Sequence, residues 1–408
     1  MSNVFSTIDD FELENKTVLL RIDNNSPVDP ISGGILDDTR MRLHSETIKE
    51  LSMRGAKLVL LAHQSRPGKS DFTNLKQHSE TLSKILNIKV KFIDSIFSIN
   101  AKEAIKNLNP GEIILLENAR YFSEETLKRP VKEQAKSVMV RQLSPYIDIF
   151  VNDAFAAAHR SQVSLVGFTQ NIPSAAGRVM EKELSIITNT LENVESPCVF
   201  VLGGMKADDS IMVMEHVLRN GTADQVLTTG LVANIVLAAA DVNIGEVNTK
   251  FIDSQGYTNM IDKCKSLLSE FGSRIVYPND VAVEKDGERV DVDIDNIPNY
   301  SIFDMGKKSI KEYALIIREA KTIFANGPAG VFENPKFAIG TEDIINAIAI
   351  SDGFSIIGGG HIGAATVNLG YADKVDHISS GGGACINLLA GKKLVAVEAL
   401  IENKKKFN

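Results

Sequence analysis

The chain reads as an α/β protein whose parallel sheets are covered by helices on both faces. Strand-like runs recur along it with helical segments between them, the alternation that generates parallel sheets. Most of these runs are apolar throughout rather than at every second position, as strands buried on both faces are. At 408 residues the chain is also long enough for two domains, each with a sizeable core.

In the first half the strand-like runs are TVLLRID, LVLLAH, KVKFID, EIILLEN and IDIFVND. In the second they are CVFVLGG, QVLTTG, RIVYPND, TIFANGP, SIIGGG and KVDHIS. Intervening segments such as HSETIKELSMRGA and DSIMVMEHVLRNG have helical apolar spacing and end in glycine or small residues. A boundary is expected after NIPSAAG, where Pro173 and Gly177 punctuate the chain. RVMEKELSIITNTLENV then reads as one long helix able to connect two domains. That places one domain at 1–177 and a second at 178–391. It leaves 392–408 as an apolar patch and basic tail that must dock somewhere. No low-complexity tract or fixed-period repeat interrupts the pattern.

Composition narrows the function classes. A net charge of −8 argues against nucleic acid or a membrane surface as partner, since either usually calls for a basic face. Three cysteines, Cys198, Cys264 and Cys385, cannot form a complete disulfide set and suit a reducing compartment. The acidic start MSNVFSTIDDFELENK has no hydrophobic region of a signal peptide, and no apolar run is long enough to span a bilayer. A cytoplasmic protein is expected. Averaged charge hides one asymmetry: ten of the 14 arginines lie at or before Arg178, and 22 of the 29 glycines lie after it. The first half has cationic forks for compact anions, and the second has bare backbone for phosphate chains.

In open α/β sheets ligands bind beyond the carboxyl ends of the strands. In the first half those ends lead to Asp23 and Asn25, to His63 and Arg66, to Arg120, and to His159 and Arg160, with Arg40 in the loop after the first strand. Guanidinium binds carboxylate and phosphate bidentately, so the cluster suits a small, highly charged anion. Any one arginine is more often a solvated surface cation, and recurrence at strand ends is what favours the site. In the second half FSIIGGGHIGAATVNLG and KVDHISSGGGACINLL each pass from strand through three glycines into a helix-like pattern. Glycine turns at helix N-termini make anion cradles, and phosphate is the usual occupant. VLGGMKADDS and TTGLVANI repeat the junction, with Lys206 able to reach a phosphate. NGPAGVFE offers Glu333 as an acceptor for ribose hydroxyls. There is no Walker A sequence, because RPGKS lacks its first glycine. Gly358, Gly360 and Gly363 satisfy G-x-G-x-x-G, alone a weak dinucleotide signal.

These residues resemble the phosphoglycerate kinase family along essentially the whole chain, in order. RIDNNSP resembles R-[IV]-D-x-N-x-P, AHQSRPG resembles S-H-x-G-R-P, LLENARY resembles L-L-E-N-x-R-F, and VNDAFAAAHRS resembles V-N-D-A-F-x-x-A-H-R. VLGGMKADDS, NGPAGVFE, IIGGGH and SSGGGA resemble G-G-A-K-V-x-D, N-G-P-x-G-V-F-E, I-I-G-G-G-D and S-T-G-G-G-A. The resemblance implies two Rossmann-like three-layer domains joined by a hinge and an interdomain helix. The first would bind 3-phosphoglycerate or 1,3-bisphosphoglycerate, the second Mg-ATP or Mg-ADP. It implies triose-binding roles for Asp23, Asn25, Arg40, His63, Arg66, Arg120 and Arg160. It implies nucleotide-side roles for Gly203, Gly204, Lys206, Gly230, Asn326, Pro328 and Glu333, with the glycine turns Gly358, Gly359, Gly360 and Ser380 to Gly383 beside the transferring phosphate. The 392–408 tail would return to the first domain. The acceptor is a carboxylate, already ionised at neutral pH, so no general base is needed. Arg40 and Lys206 are then the expected charge-neutralising residues, and substrates on separate domains require closure.

Three positions depart from the family pattern. Ser210 stands where most members have a second lysine, His361 stands where they have a metal-associated aspartate, and Ile362 replaces the following threonine. These changes resemble the archaeal branch. Imidazole is a poor Mg²⁺ ligand, so the metal is expected to be held by nucleotide oxygens and water, with His361 available to donate to a phosphate. A plainer alternative for His361 is a histidine capping its own loop. His44, His78 and His216 lie in helical patterns and read as surface or packing residues, and His377 as packing or orienting the last glycine turn. Two rival readings compete with this one: a kinase fold that has lost catalysis and only binds, and a nicotinamide-dependent oxidoreductase. An intact Lys206 with a full arginine set disfavours the first. The second leaves the arginines without a purpose.

Overall fold

A computed structural model describes residues 4–407. The chain divides into two compact units, Met1–Ser185 with Lys393–Asn408, and Ile186–Lys392. The helix Arg178–Glu192 runs across that division.

The first unit is built on six parallel strands: β1 (Thr17–Arg21), β2 (Lys57–Leu61), β3 (Val90–Phe92), β4 (Ile113–Leu115), β5 (Ile149–Asn152) and β6 (Ser174–Ala176), ordered β3-β4-β2-β1-β5-β6. Successive residues of a strand point to opposite faces, and the core divides accordingly. Leu20, Leu58, Leu60 and Val151 join one cluster with Met41, Ile48 and Leu82 from the helices Thr39–Met53 and Lys76–Leu86. Leu19, Val59, Leu61 and Phe150 join the other, with Ala101, Ile105, Met139 and Val140 from helices on the opposite face. Both faces are covered, which is why these strands carry no polar alternation. All five strands expected from the sequence are present. β6 was not foreseen, because its three small residues lie in the segment read as boundary punctuation.

The C-terminal helix Val395–Phe407 packs on this first unit. Buried Asn403 accepts from Ser174 N–H at 2.8 Å and donates to the Ile172 carbonyl at 2.9 Å, and Ala396 N–H donates to Ala158 at 3.0 Å.

The second unit has six parallel strands and a small antiparallel sheet. In chain order these are β7 (Cys198–Leu202), β8 (Gln225–Thr228), β9 (Ile275–Val276), β10 (Asp280–Lys285), β11 (Glu288–Asp293), β12 (Ile302–Met305), β13 (Thr322–Asn326), β14 (Phe354–Ile357) and β15 (His377–Ile378). The main sheet is ordered β15-β14-β13-β7-β8-β9. One of its faces packs Val199, Val201, Ile323 and Ala325 on Tyr313, Ile344 and Ile348, and on the other Phe200 stacks on Phe324 at 4.5 Å. Two helices, Ala207–Arg219 and Gly230–Ala239, follow β7 and β8, and His361–Asn368 and Gly382–Leu389 follow β14 and β15.

The antiparallel sheet, ordered β11-β10-β12, departs from the all-parallel expectation. Its signal was present in KDGERV. Asp286 and Gly287 both have positive φ, 54° and 79°, the backbone that a two-residue hairpin loop demands. All three cysteines are free and buried, and no helix among the described residues is long and apolar enough to cross a membrane.

Candidate active site

At the carboxyl ends of the neighbouring strands β4, β2, β1 and β5 the first unit gathers its polar residues. Asp23 follows β1, His63 and Arg66 follow β2, Arg120 follows β4, and Arg160 follows β5. Arg66, Arg120 and Arg160 line a cavity of about 590 Å³ together with Thr126, Lys128 and His159. Asp23 is buried, and its carboxylate accepts from Arg40 and, at 3.0 Å, from Asn25 N–H. Burial works to raise its pKa, but Arg40, His63, the Asn25 N–H and Arg21 outweigh it and hold the carboxyl at about 2.

The cations are held against their own solvation. Burial first, then Arg160 and Arg21, bring Arg120 down to about 10, and burial and Arg66 lower Arg160. A cluster whose charged forms are disfavoured by burial and by one another is relieved by a bound anion.

Four residues that support this edge were not assigned from the sequence. Arg21 is fully buried. Its Nε donates to Ser164 Oγ at 2.8 Å, Ser164 donates on to Glu125 at 2.6 Å, and its Nη2 lies 2.8 Å from His63 Nδ1. Gln64 clasps the backbone of Ser26 in both directions, accepting its N–H at 3.1 Å and donating to its carbonyl at 2.8 Å. Asn118 does the same between loops: its Oδ1 accepts from Gln64 N–H and Arg120 N–H, and its Nδ2 donates to the carbonyls of Gln64 and Thr73. These two amides tie the loops bearing Asp23, His63 and Arg120 to one another. His44, expected at the surface or in packing, is buried with both ring nitrogens engaged. Arg21, Gln64 and Asn118 lie inside the family-like motifs RIDNNSP, AHQSRPG and LLENARY, whereas nothing in the local pattern marks His44.

In the second unit a cleft of about 590 Å³ opens beside the ends of β7, β8 and β13. Gly204, Gly230, Pro328, Glu333 and His361 line it, and Leu231, Val247, Phe251, Met305 and Val331 give it apolar walls. Such a slot, apolar with a few polar groups at its rim, suits a flat heterocycle. Gly203, Asn326, Gly358 and Gly359 stand behind this lining. A Cβ on Gly203 would collide with Thr229 Oγ1, one on Gly358 with Asn326 Oδ1, and one on Gly359 would lie 2.6 Å from the Ser379 carbonyl and 2.9 Å from Gly382 N. Their missing side chains are used in packing protein on protein, and the two triple-glycine turns sit against each other. The N–H groups of Gly203, Gly204 and Gly230 donate to carbonyls of Asn326, Pro328 and Ala329, so these glycines knit the loops together. Gly360 differs: its φ is +83°, nothing lies within 4 Å of a Cβ there, and it caps the helix His361–Asn368.

Lys206 is exposed at the cap position of the helix Ala207–Arg219, and Gly383 lies in the first turn of the helix Gly382–Leu389. Ser210 is buried and donates to the Gly203 carbonyl at 3.3 Å. The ring of His361 makes no hydrogen bond to its own loop among the described residues; it leans on Phe332 at 5.8 Å and lines the cleft.

One unit carries an arginine-rich sheet edge for a compact anion, and the other an apolar cleft among helix N-termini; these are the parts of a small-molecule kinase. The phosphoglycerate kinase family model matches residues 8–392. The phosphoglycerate kinase of Methanothermobacter thermautotrophicus is 63% identical over 98% of this chain and 97% of its own length, and that of Methanobacterium bryantii is 61% identical over 100% and 99%. The crystal structure of phosphoglycerate kinase from Pyrococcus horikoshii superposes with a TM-score of 0.90 at 41% identity, covering 98% of this chain and 100% of that one. The chain belongs to the phosphoglycerate kinase family. Its reaction is reversible phosphoryl transfer between ATP and the carboxylate of 3-phosphoglycerate, a step of glycolysis and gluconeogenesis.

Proposed function

We propose that the first unit's sheet edge binds the triose and that Arg40 and Lys206 neutralise charge on the transferring phosphoryl group. The observation that carries this reading is the cluster of Asp23, Arg40, Arg120 and Arg160, with an ionised, buried Asp23 holding Arg40 in place. Arg66, Arg120 and Arg160 bind the substrate phosphate and carboxylate bidentately. Asn25 and His63 donate to its hydroxyl and carboxylate oxygens. Nothing has to remove a proton, because the acceptor carboxylate is already ionised.

The nucleotide base occupies the apolar cleft and Glu333 takes the ribose hydroxyls. Gly204, Gly230, Asn326 and Pro328 shape the cleft, and the helix starts at Gly360 and Gly383 face the phosphates with free N–H groups and positive dipole ends. Rate then comes from in-line positioning and electrostatic stabilisation.

His361 presents an imidazole where Mg²⁺ prefers oxygen, so the metal would be held mainly by nucleotide oxygens and water. When bound it offsets phosphate charge.

The test is ADP formation from ATP, Mg²⁺ and 3-phosphoglycerate, with the acyl phosphate removed by a coupled dehydrogenase. Arg40→Ala and Lys206→Ala are each expected to lower kcat by about 100-fold or more, with smaller changes in KM. Wild-type kcat in either variant overturns that residue's assignment.

A further inference from the structure

Asp153, His44 and Asp23 form a continuous hydrogen-bonded chain beneath the triose site. His44 is 2% exposed, in the helix Thr39–Met53 that follows β1. Its Nε2 accepts from the backbone N–H of Asp23 at 3.1 Å, which leaves Nδ1 to donate to Asp153 Oδ2 at 2.7 Å. Asp153 is itself immobilised. Its Oδ1 accepts from Val179 N–H at 2.8 Å, and it is packed so tightly against Gly177 that a Cβ there would overlap it. Asp153 therefore fixes the ring, and the ring fixes where the Asp23 backbone can be. Asp23 in turn holds Asn25 and Arg40 through its carboxylate.

Arg40 needs such a fixture. Its side chain is 45% exposed, and the only ion pair it makes among the described residues is with Asp23. A half-exposed arginine held at one end is otherwise free to sample rotamers, which a charge-neutralising group in phosphoryl transfer cannot do without loss of rate.

We propose that His44 is a positioning residue for the reaction: anchored on Asp153, it sets the Asp23 backbone and, through the Asp23 carboxylate, the placement of Arg40 and Asn25. The proposal rests on the assignment of Arg40 and Asn25 to the triose side of the site.

Two substitutions separate positioning from mere packing. In His44→Gln the amide oxygen reaches about where Nε2 stood and accepts from Asp23, but the bond to Asp153 is lost. In His44→Asn the amide nitrogen replaces Nδ1 and keeps Asp153, but the acceptor for Asp23 is lost. His44→Asn is expected to raise KM for 3-phosphoglycerate about tenfold and lower kcat by a similar factor, leaving KM for ATP within about twofold. His44→Gln, which keeps the acceptor for Asp23 but loses the anchor, is expected to fall between wild type and His44→Asn in kcat and in KM for 3-phosphoglycerate, although it melts at or below the temperature of His44→Asn. Kinetics that follow the melting temperatures, or that move KM for ATP and 3-phosphoglycerate together, overturn the proposal.

Arg40→Ala and the double variant with His44→Asn complete a cycle. If His44 acts through Arg40, the kcat effects are strongly non-additive. Independent, multiplying kcat effects overturn the route through Arg40. Wild-type kcat in Arg40→Ala instead overturns the assignment of Arg40 itself, and the Gln-against-Asn comparison of KM still judges His44.

Discussion

Arg21 Nη2 lies 2.8 Å from His63 Nδ1, in a site where both side chains are almost fully buried. A guanidinium has no acceptor, so Nδ1 must accept and the ring proton sits on Nε2. Burial first, then Arg21, push the His63 pKa well below its usual value, and Arg120 and Arg160 add to that against the pull of Asp23. On the proposed assignment of the triose site, His63 would present an uncharged hydrogen-bond donor to the substrate. Binding of 3-phosphoglycerate is expected to show no inflection from this ring between about pH 6 and 8. His63→Ala should raise its KM about tenfold, by removing the donor and leaving a buried Arg21 nitrogen unpaired. An inflection near pH 6.5 that vanishes in His63→Ala would show the ring to be charged.

His78 makes a stability prediction of definite sign. Burial, opposed by the Asn24 backbone, lowers its pKa from 6.5 to about 4. Between those values the unfolded ring holds a proton that the folded ring does not, so folding weakens as pH falls through 6.5 and the loss is complete near 4. The shift corresponds to about 3 kcal/mol. Asp23 acts in a lower window: its stabilisation is present above 3.8 and is lost as pH falls through about 2. Urea unfolding at pH 7, 5.5 and 4 measures this, and His78→Leu should flatten the slope. An unchanged slope in that variant assigns the acid sensitivity elsewhere.

Gln64→Leu tests the clasp between the loops of Asp23 and His63. Both bonds to Ser26 disappear; the Ser26 N–H keeps the Asn24 carbonyl at 2.7 Å, but the Ser26 carbonyl loses its bond to Gln64, at a cost of about 1–3 kcal/mol. KM for 3-phosphoglycerate should rise about tenfold while KM for ATP stays put. If both constants are untouched, Asn118 alone suffices to hold the loops.

The two glycine turns should respond unequally to alanine. At Gly359 a Cβ meets backbone of Ser379 and Gly382, which cannot swing away, and overpacking should cost about 3 kcal/mol. At Gly360 the space is open and only the positive φ is strained, costing about 1 kcal/mol. Thermal melts of Gly359→Ala and Gly360→Ala rank them directly. The reverse order would mean that the turns do not pack as described.

His361 lines the apolar cleft of the second unit, and its ring makes no hydrogen bond among the described residues, resting instead on Phe332. His361→Ala is expected to lower kcat or raise the Mg²⁺ concentration needed for half-maximal rate, each by about three- to tenfold. Kinetics equal to wild type over a Mg²⁺ titration would leave the ring with its packing on Phe332 alone.

By itself the sequence determined the two parallel sheets and the kind of residue at their carboxyl ends. Both follow from local rules: a strand buried on both faces must be apolar throughout, and its side chains end where the loop begins. Asp23, His63, Arg120 and Arg160 were legible because each ends such a run. The antiparallel sheet was legible only in its turn, Asp286–Gly287, since β11 is largely exposed and its apolar pattern is weak.

Tertiary structure alone decided which polar groups meet. Gln64 and Ser26 are 38 positions apart, and His44 and Asp153 are 109 apart. No spacing rule predicts such pairs, because a buried amide or imidazole takes whatever donor or acceptor the closed core brings to it. The same holds for Gly203, Gly358 and Gly359. Along the chain they stand out only as glycine turns; the three-dimensional structure adds that other atoms of this chain fill the space a Cβ would need, so no other residue fits there. Local chemistry marks where a ligand can be held, and only packing decides which residues hold it and which hold them in place.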